Sequence, residues 1–366
     1  MQEVVAPRSG MATLVLMLMG SSIVYGVGKQ AGADTWLAVI AAMILSVPFI
    51  LVYARLVDLD PNNDIFQTLE KALGKLVAWT AAALYGWYAL LLMYNSVNNL
   101  GNFIAVAGLV ETPRAVPRLF LLVITLAAAK LGVEPLTRWS TLFLIVVVGI
   151  SVFAFALVSE EIDYSNLQPI LYDGIGPVAA GTFSTMAFPF LEAVLFIFIG
   201  AAYRGQGGAR QVMLWGHLIA GATILFIITN TLAVIGPDVY RIQYYPVYGA
   251  ASRIDVGGIF TRLEITVTFI FLATTFVKIT VCLIAAARCC GYLVGEPRYT
   301  YLLTPLALSG IVGTFWLAEG TLEMEAMALQ VWRPMQLVLQ IILPVIIWIV
   351  AEIRLKSPKQ QKAPQS

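Results

Sequence analysis

Charge is scarce in this chain. Of its 366 residues only 12% are Asp, Glu, Lys or Arg, where a soluble domain carries roughly 25%. The 22 Lys and Arg nearly cancel the 21 Asp and Glu, leaving +1. No field of one sign is present to draw nucleic acid or an acidic partner. With 60% hydrophobic residues, there is too little polar surface to coat a water-soluble globule. A soluble enzyme, a disordered chain and a nucleic-acid binder are excluded. Histidine is all but missing: His217 stands alone. No Ser-His-Asp or Cys-His site and no zinc site can be assembled around it, so no metal, cofactor or enzymatic activity is expected. Cysteine occurs only as Cys282, Cys289 and Cys290, too few and too clustered for a disulfide framework. They read as reduced structural thiols.

What is abundant is long apolar sequence. A helical span needs about 20 such residues. Runs fall at 11–29, 35–54, 76–107, 117–131, 139–158, 176–202, 211–235, 259–287, 299–318 and 333–351. The fold class is therefore an all-α polytopic membrane protein with about ten transmembrane helices in one domain, embedded in a lipid bilayer. The first run, with Arg8 ahead of the core Met11–Met19, imitates a signal peptide. Its apolar character resumes at Ile23-Val24-Tyr25, as in a span interrupted midway.

Alternating the loops puts fourteen Lys and Arg on the side of the N-terminus and seven on the other, with Lys278 left inside a span. The positive-inside rule then predicts both termini cytoplasmic, which an even number of spans satisfies. Asp64-Ile65-Phe66-Gln67 has the form of a capping box and predicts a short interfacial helix on the cytoplasmic face. Tyr245-Pro246 followed by Val247–Ile254 predicts a short external helix, either a lid or an ordered surface loop. The tail 356–366 is polar and is expected to be a disordered cytoplasmic segment.

Function is sought where a span violates what the bilayer demands. The first span carries Gly20-Ser21-Ser22 at its centre. Glycine permits unwinding there, and exposed N–H groups suit a carboxylate; a continuous helix with small residues for close packing is the other reading. The sixth carries Thr182, Ser184, Thr185, Pro189 and Glu192. Pro189 lacks an N–H and is predicted to free the Thr185 carbonyl for a cation or an ammonium. Glu192 must face a cavity, hold a proton or pair with a cation. In the eighth span Thr261, Glu264, Thr268, Phe271, Thr275, Lys278 and Cys282 follow 3,4 spacings, so one helical face gathers nearly all polar groups. Lys278 lies ~21 Å along the axis from Glu264 at 1.5 Å per residue, too far to pair. It is available to Glu192, to backbone carbonyls or to the unwound first span. The third span adds Tyr88, Asn95, Asn98 and Asn102, a stripe suited to helix–helix hydrogen bonds or water.

The interrupted spans are first and sixth of ten. Two five-span halves, roughly 8–158 and 174–352, would each open with a broken helix and begin on opposite sides of the membrane. That is the pattern of a LeuT-type 5+5 inverted repeat with its site at the paired breaks. The predicted ligand-binding residues are Gly20, Ser21, Ser22, Thr185, Pro189, Glu192 and Thr275, with Lys278 and Glu192 as coupling or structural charges.

Several stretches carry a family resemblance. They are Asn166-Leu167-Gln168-Pro169 with Gly174, Phe188-Pro189-Phe190-Leu191-Glu192, Tyr245-Pro246 with Ser252-Arg253-Ile254, and Arg262-Leu263-Glu264 leading to Phe276-Val277-Lys278-Ile279. In these the chain resembles the spore germination permeases, the B subunits of endospore germinant receptors, within the amino acid-polyamine-organocation superfamily. The N-terminal half matches mainly in hydropathy and length. The resemblance implies a LeuT-type fold in the spore inner membrane and a complex with an A subunit and a lipoprotein C subunit. It also implies binding of an amino acid-like nutrient that triggers germination. It places Glu192 and Lys278 in the family pattern without assigning their roles. The alternative is a proton- or ion-coupled amino acid transporter of the bacterial cell membrane; a channel for ions or water is a more distant third, since no charged ring marks a filter.

Overall fold

A computed structural model describes residues 5–59, 64–108, 111–200, 208–253, 264–296, 298–317 and 332–355. The predictions resting on Ile254, Thr261, Arg262, Leu263 and the tail 356–366 lie outside these residues.

Among the described residues, eight helical stretches are long and apolar enough to cross a membrane: Pro7–Tyr25, Lys29–Asp58, Lys75–Ala107, Val133–Val158, Ile175–Gly200, Gly208–Ile235, Glu264–Val294 and Pro334–Leu355. Two shorter apolar helices, Ala115–Leu131 and Thr300–Leu317, occupy the remaining predicted positions. Ten stretches thus match the ten apolar runs. Burial ranks them. The central window is 78% buried in the first, 89% in the sixth and 83% in the eighth, but 11% in Val133–Val158. The spans with broken or polar-striped sequences form the centre of the bundle, because a polar face cannot look at lipid.

The first span is two helices. α1 (Pro7–Met19) starts with proline at a position where its missing N–H is not needed. It ends at Gly20, whose φ of +24° few L side chains adopt. After Ser21 comes a single turn, α2 (Ser22–Tyr25). A 3₁₀ turn, Lys29–Asp34, leads into α3 (Thr35–Asp58). The capping box is present as read from sequence: Asp64 caps α4 (Ile65–Leu73) and Gln67 reaches back to the Asp64 N–H. α5 (Lys75–Ala107), α6 (Ala115–Leu131) and α7 (Val133–Val158) complete the first half.

The sixth span breaks as well. α8 (Ile175–Ala187) stops at Phe188, which is extended, and after Pro189 a 3₁₀ helix runs over Phe190–Phe198. α9 (Gly208–Ile235) is followed by two short helices, α10 (Pro237–Ile242) and α11 (Pro246–Ala251), at the predicted place of the external helix. α12 (Glu264–Val294) packs along α5 and α1. After α13 (Thr300–Leu317), the last span is α14 (Arg333–Leu337), a π turn over Val338–Ile342, and α15 (Leu343–Leu355). Cys282, Cys289 and Cys290 are free thiols, the first two buried.

Candidate site at the paired helix breaks

At the first break the chain heals its own wound. The Ser22 hydroxyl donates to the Met19 carbonyl at 2.6 Å and to the Leu18 carbonyl at 3.1 Å, two acceptors that the end of α1 leaves open. The Gly20 carbonyl accepts from the Thr274 hydroxyl of α12 at 3.2 Å. A Cβ at Gly20 would come 2.7 Å from Lys278 Cδ and 2.9 Å from the Met17 carbonyl oxygen. Glycine is therefore required twice, by φ and by the lysine stem lying on it.

At the sixth break the helix ends two residues ahead of Pro189. The carbonyl that gains a new partner is that of Ala187, which accepts from Gln340 Nε2 at 3.0 Å. The Thr185 hydroxyl is turned back onto the Gly181 carbonyl at 2.8 Å. Its other neighbour is the first span, since a Cβ on Gly28 would meet Thr185 Oγ1 at 3.4 Å.

Lys278 joins the two breaks. Its Nζ lies 2.6 Å from Glu192 Oε2, with both side chains almost fully buried at 2% and 1% exposure. It also stands 4.9 Å from the centre of the Phe188 ring, a cation–π contact that gains from the absence of water. One lysine from the eighth span thus lays its stem on Gly20 of the first and its ammonium against Phe188 and Glu192 of the sixth. Isolated, either charge is costly at this depth; paired at charge-assisted hydrogen-bond distance, each offsets the other's desolvation. Among the buried oxygens of the described residues that lack a hydrogen-bond partner are Glu192 Oε1, Ser21 Oγ and Thr275 Oγ1. They are unused acceptors in the part of the chain that sequence had marked.

Toward the α11 end the site is covered by aromatic rings. Tyr25 of α2 meets Tyr244 and Tyr245 edge-on at 5.0 and 5.2 Å. Phe103 of α5 meets Tyr245, Tyr248 and Phe271 at 5.1, 5.3 and 5.0 Å. The Tyr240 hydroxyl donates to the Val27 carbonyl at 2.9 Å and accepts from the Val27 N–H at 3.0 Å. Lys29 Nζ adds a bond to the Gln243 carbonyl at 2.8 Å. Burial raises the Tyr240 hydroxyl pKa well above the usual phenol range, so it stays neutral and able to both donate and accept. Toward the α4 end, Arg288 donates to the Phe198 carbonyl at 2.5 Å and to both oxygens of Asp64 at 3.0 Å. Phe66 stacks on Tyr292 at 4.7 Å.

The structure therefore brings Gly20, Glu192 and Lys278 together and sets Ser21, Ser22, Thr185 and Pro189 on the same two breaks. Thr275 is on the predicted face of α12, one turn from Lys278. Gln340 and Arg118 were not singled out by sequence reasoning. Gln340 donates to the Tyr88 hydroxyl at 2.7 Å as well as to Ala187. Its signal was there in Gln336 and Gln340, polar residues one turn apart in an apolar run. Arg118, read as a loop residue, is buried in α6 and donates to Asn98 and Asn102 of the third-span stripe. Packing, not ligand, accounts for those two asparagines.

The chain is similar to several known proteins. Spore germination protein KB of Bacillus subtilis (strain 168) is 23% identical over 364 residues, covering 96% of both chains. Spore germination protein XB of Bacillus anthracis is 22% identical over 280 residues, covering 73% of this chain and 76% of its own. Among solved structures, the nucleobase-cation-symport-1 family transporter Mhp1, closed with bromovinylhydantoin bound, superposes with a TM-score of 0.67 at 14% identity. The match covers 95% of this chain and 78% of that one. MhsT in complex with L-phenylalanine gives 0.57 at 14% identity, covering 96% and 89%. At such identities these two show the fold alone, a LeuT-type fold of about ten helices broken in the first and sixth. The profile of the family described as spore germination protein matches residues 5–319, and the chain belongs to that family of membrane permeases.

Proposed function

We propose that the chain is the ligand-sensing membrane subunit of a spore germinant receptor. A small zwitterion of the amino acid class binds between Gly20-Ser21-Ser22 and Thr185–Pro189. Its carboxylate meets first-span amides and its amine meets the sixth-span break, with Glu192 and Thr275 beside it. Binding moves the broken spans between two states, and A and C subunits read the change. A ligand can do this only through different affinities for the two states. The reading is carried by one observation: the Lys278 side chain lies against both breaks at once, its stem on Gly20 and its ammonium on Glu192. A zwitterion supplies the same two charges and competes for the same two partners.

The inverted repeat, roughly 8–158 and 174–352, supports a transporter-derived mechanism. α1 and α8 are both 13 residues long before their breaks. Each half also places a short helix after its second span, α4 in one and α10–α11 in the other. By the basic-residue count both termini face the cytoplasm, in the spore inner membrane.

Lys278 takes the role of a bound cation between the first and eighth spans, so ligand binding is expected not to need sodium. The test is thermal stabilisation of the purified full chain across amino acids, nucleosides and sugars, with sodium or choline as the salt cation. One specific binder, equally effective in both salts and lost in Gly20→Leu, supports the reading. Sodium-dependent binding overturns the role given to Lys278. Sustained concentrative uptake of the bound amino acid into proteoliposomes overturns the sensor in favour of a coupled transporter.

A further inference from the structure

The segment between α7 and α8 is built more tightly than a linker and is more apolar than a solvated loop. Asp163 accepts from the Ser165 N–H at 2.9 Å and caps a 3₁₀ turn over Tyr164–Leu167. The Asn166 amide donates to the Ala233 carbonyl at 2.9 Å, fixing the turn to the end of α9. Asp34, itself buried, accepts the Leu171 N–H through both carboxylate oxygens at 3.0 Å. Leu171 has φ +56°, and among the described residues it is the one residue other than glycine with positive φ. A branched side chain in that region is strained and persists only where surrounding structure imposes it. Gly174 then closes the turn onto the Leu171 carbonyl at 3.0 Å.

This scaffold presents apolar side chains outward. Ile170 is 54% exposed, Leu171 45% and Tyr172 81%, with Tyr164 and Ile175 also exposed on the same segment. The acids Glu161, Asp163 and Asp173 are exposed among them, and no Lys or Arg occurs between Arg138 and Arg204. A bilayer surface selects for depth, not for shape, and an acidic ridge is repelled by anionic headgroups. A fixed, strained, acid-rimmed apolar ridge fits a protein face of complementary shape and charge better.

We propose that Ile170-Leu171-Tyr172 is the docking ridge for a partner protein on the α11 side of the membrane, whose contact face is an apolar socket rimmed by Lys or Arg. This rests on the reading of the chain as one subunit of a complex. Asp34 is a positioning residue that holds Leu171 in place, and Asp163 and Asp173 supply the charge that orients the partner.

The experiment puts the photocrosslinker p-benzoylphenylalanine in place of Tyr172 in the full chain in sporulating cells, with the same probe at the exposed Phe120 of α6 as a lipid-facing control. The expected result is one protein adduct at 172, absent at 120. Its crosslinked peptide should be apolar with Lys or Arg within a few residues. Adding Asp173→Lys, at an exposed position, should lower the adduct yield at least tenfold. No adduct, adducts with lipid only, a diffuse set of proteins, a second copy of this chain, or a yield indifferent to Asp173→Lys each overturns the proposal. Size-exclusion of the solubilised chain distinguishes the two failures. A chain that still elutes with partner proteins but gives no adduct means that the ridge is wrong. A chain that elutes alone means that the complex itself is wrong.

Discussion

Lys278 and Glu192 put opposite charges into a place where neither survives unaided. Removing one partner leaves a buried charge, an effect of about 3–5 kcal/mol. Glu192→Gln and Lys278→Met are each expected to lower unfolding stability in lipid nanodiscs by that order. The double variant should regain most of the loss, and additive losses would sink the pairing. Gly20→Ala is expected to be more harmful than an ordinary glycine-to-alanine change, since φ +24° and the 2.7 Å approach of Lys278 both oppose it. Its cost should shrink in a Lys278→Ala background, where the stem is gone. At the surface, the hydrogen bonds from Ser165 hold the Asp163 carboxyl below the usual carboxylate range. A depressed folded pKa stabilises above the ordinary value of about 3.9 and is lost only as pH falls through the lower folded value. Amide exchange of the Tyr164–Leu167 turn, corrected for its intrinsic pH dependence, should therefore not change between pH 7 and pH 4.5. Glycine, serine and charge in a span were legible as residues; the partner of Lys278 was left open, because periodicity orders residues along one helix but gives no distance to another.

The short helices hold the ends of the long ones. α4 is tied by Arg288, which spans the Asp64 cap and the last carbonyl of the 3₁₀ helix after the sixth break. Arg288→Lys keeps the charge but not the planar fork, so it cannot serve both partners. Faster amide exchange at Ile65–Leu73 is expected, with α10 and α11 unchanged. The converse variant, Tyr240→Phe, removes two hydrogen bonds to Val27, each of about 1 kcal/mol. It should speed exchange at Gly26–Lys29 and leave α4 unchanged. The capping box and the Tyr245-Pro246 helix were both readable from sequence, since caps and proline are local signals. The extent of α2 was not. A second half-helix was expected and only one turn forms, because Gly26 and Gly28, both at φ +67°, end it early. The break at Pro189 was readable to within two residues, but not that the Ala187 carbonyl beside it would take a donor, Gln340, from 153 residues away.

As a whole molecule, the chain carries short helices toward the two ends of its bundle, α4 at one and α10–α11 at the other, with the charge pair between them. Cysteines introduced at Gln67 and at Tyr172 should react with a membrane-impermeant maleimide from opposite sides, with position 172 labelled in intact cells and 67 only after lysis. Labelling of both from one side would overturn the orientation drawn from basic residues. Hydropathy made the number and order of spans legible, and the positions of the breaks pointed to the fold. The packing of spans was hidden because it depends on which faces meet, as Arg118 shows.

The π turn of the last span bears on that question of facing. Its two loosened carbonyls, at Leu339 and Gln340, accept the hydroxyls of Tyr85 and Tyr53. One residue more than an α-helix needs rotates everything after it by about 100°. That rotation lets one rod point Gln340 at the sixth break and Glu352 at Arg55, 3.0 Å away near the far end. Deleting Val338 would restore a regular helix and turn the lower half out of phase, dividing one aligned shaft into two that no longer face the same neighbours.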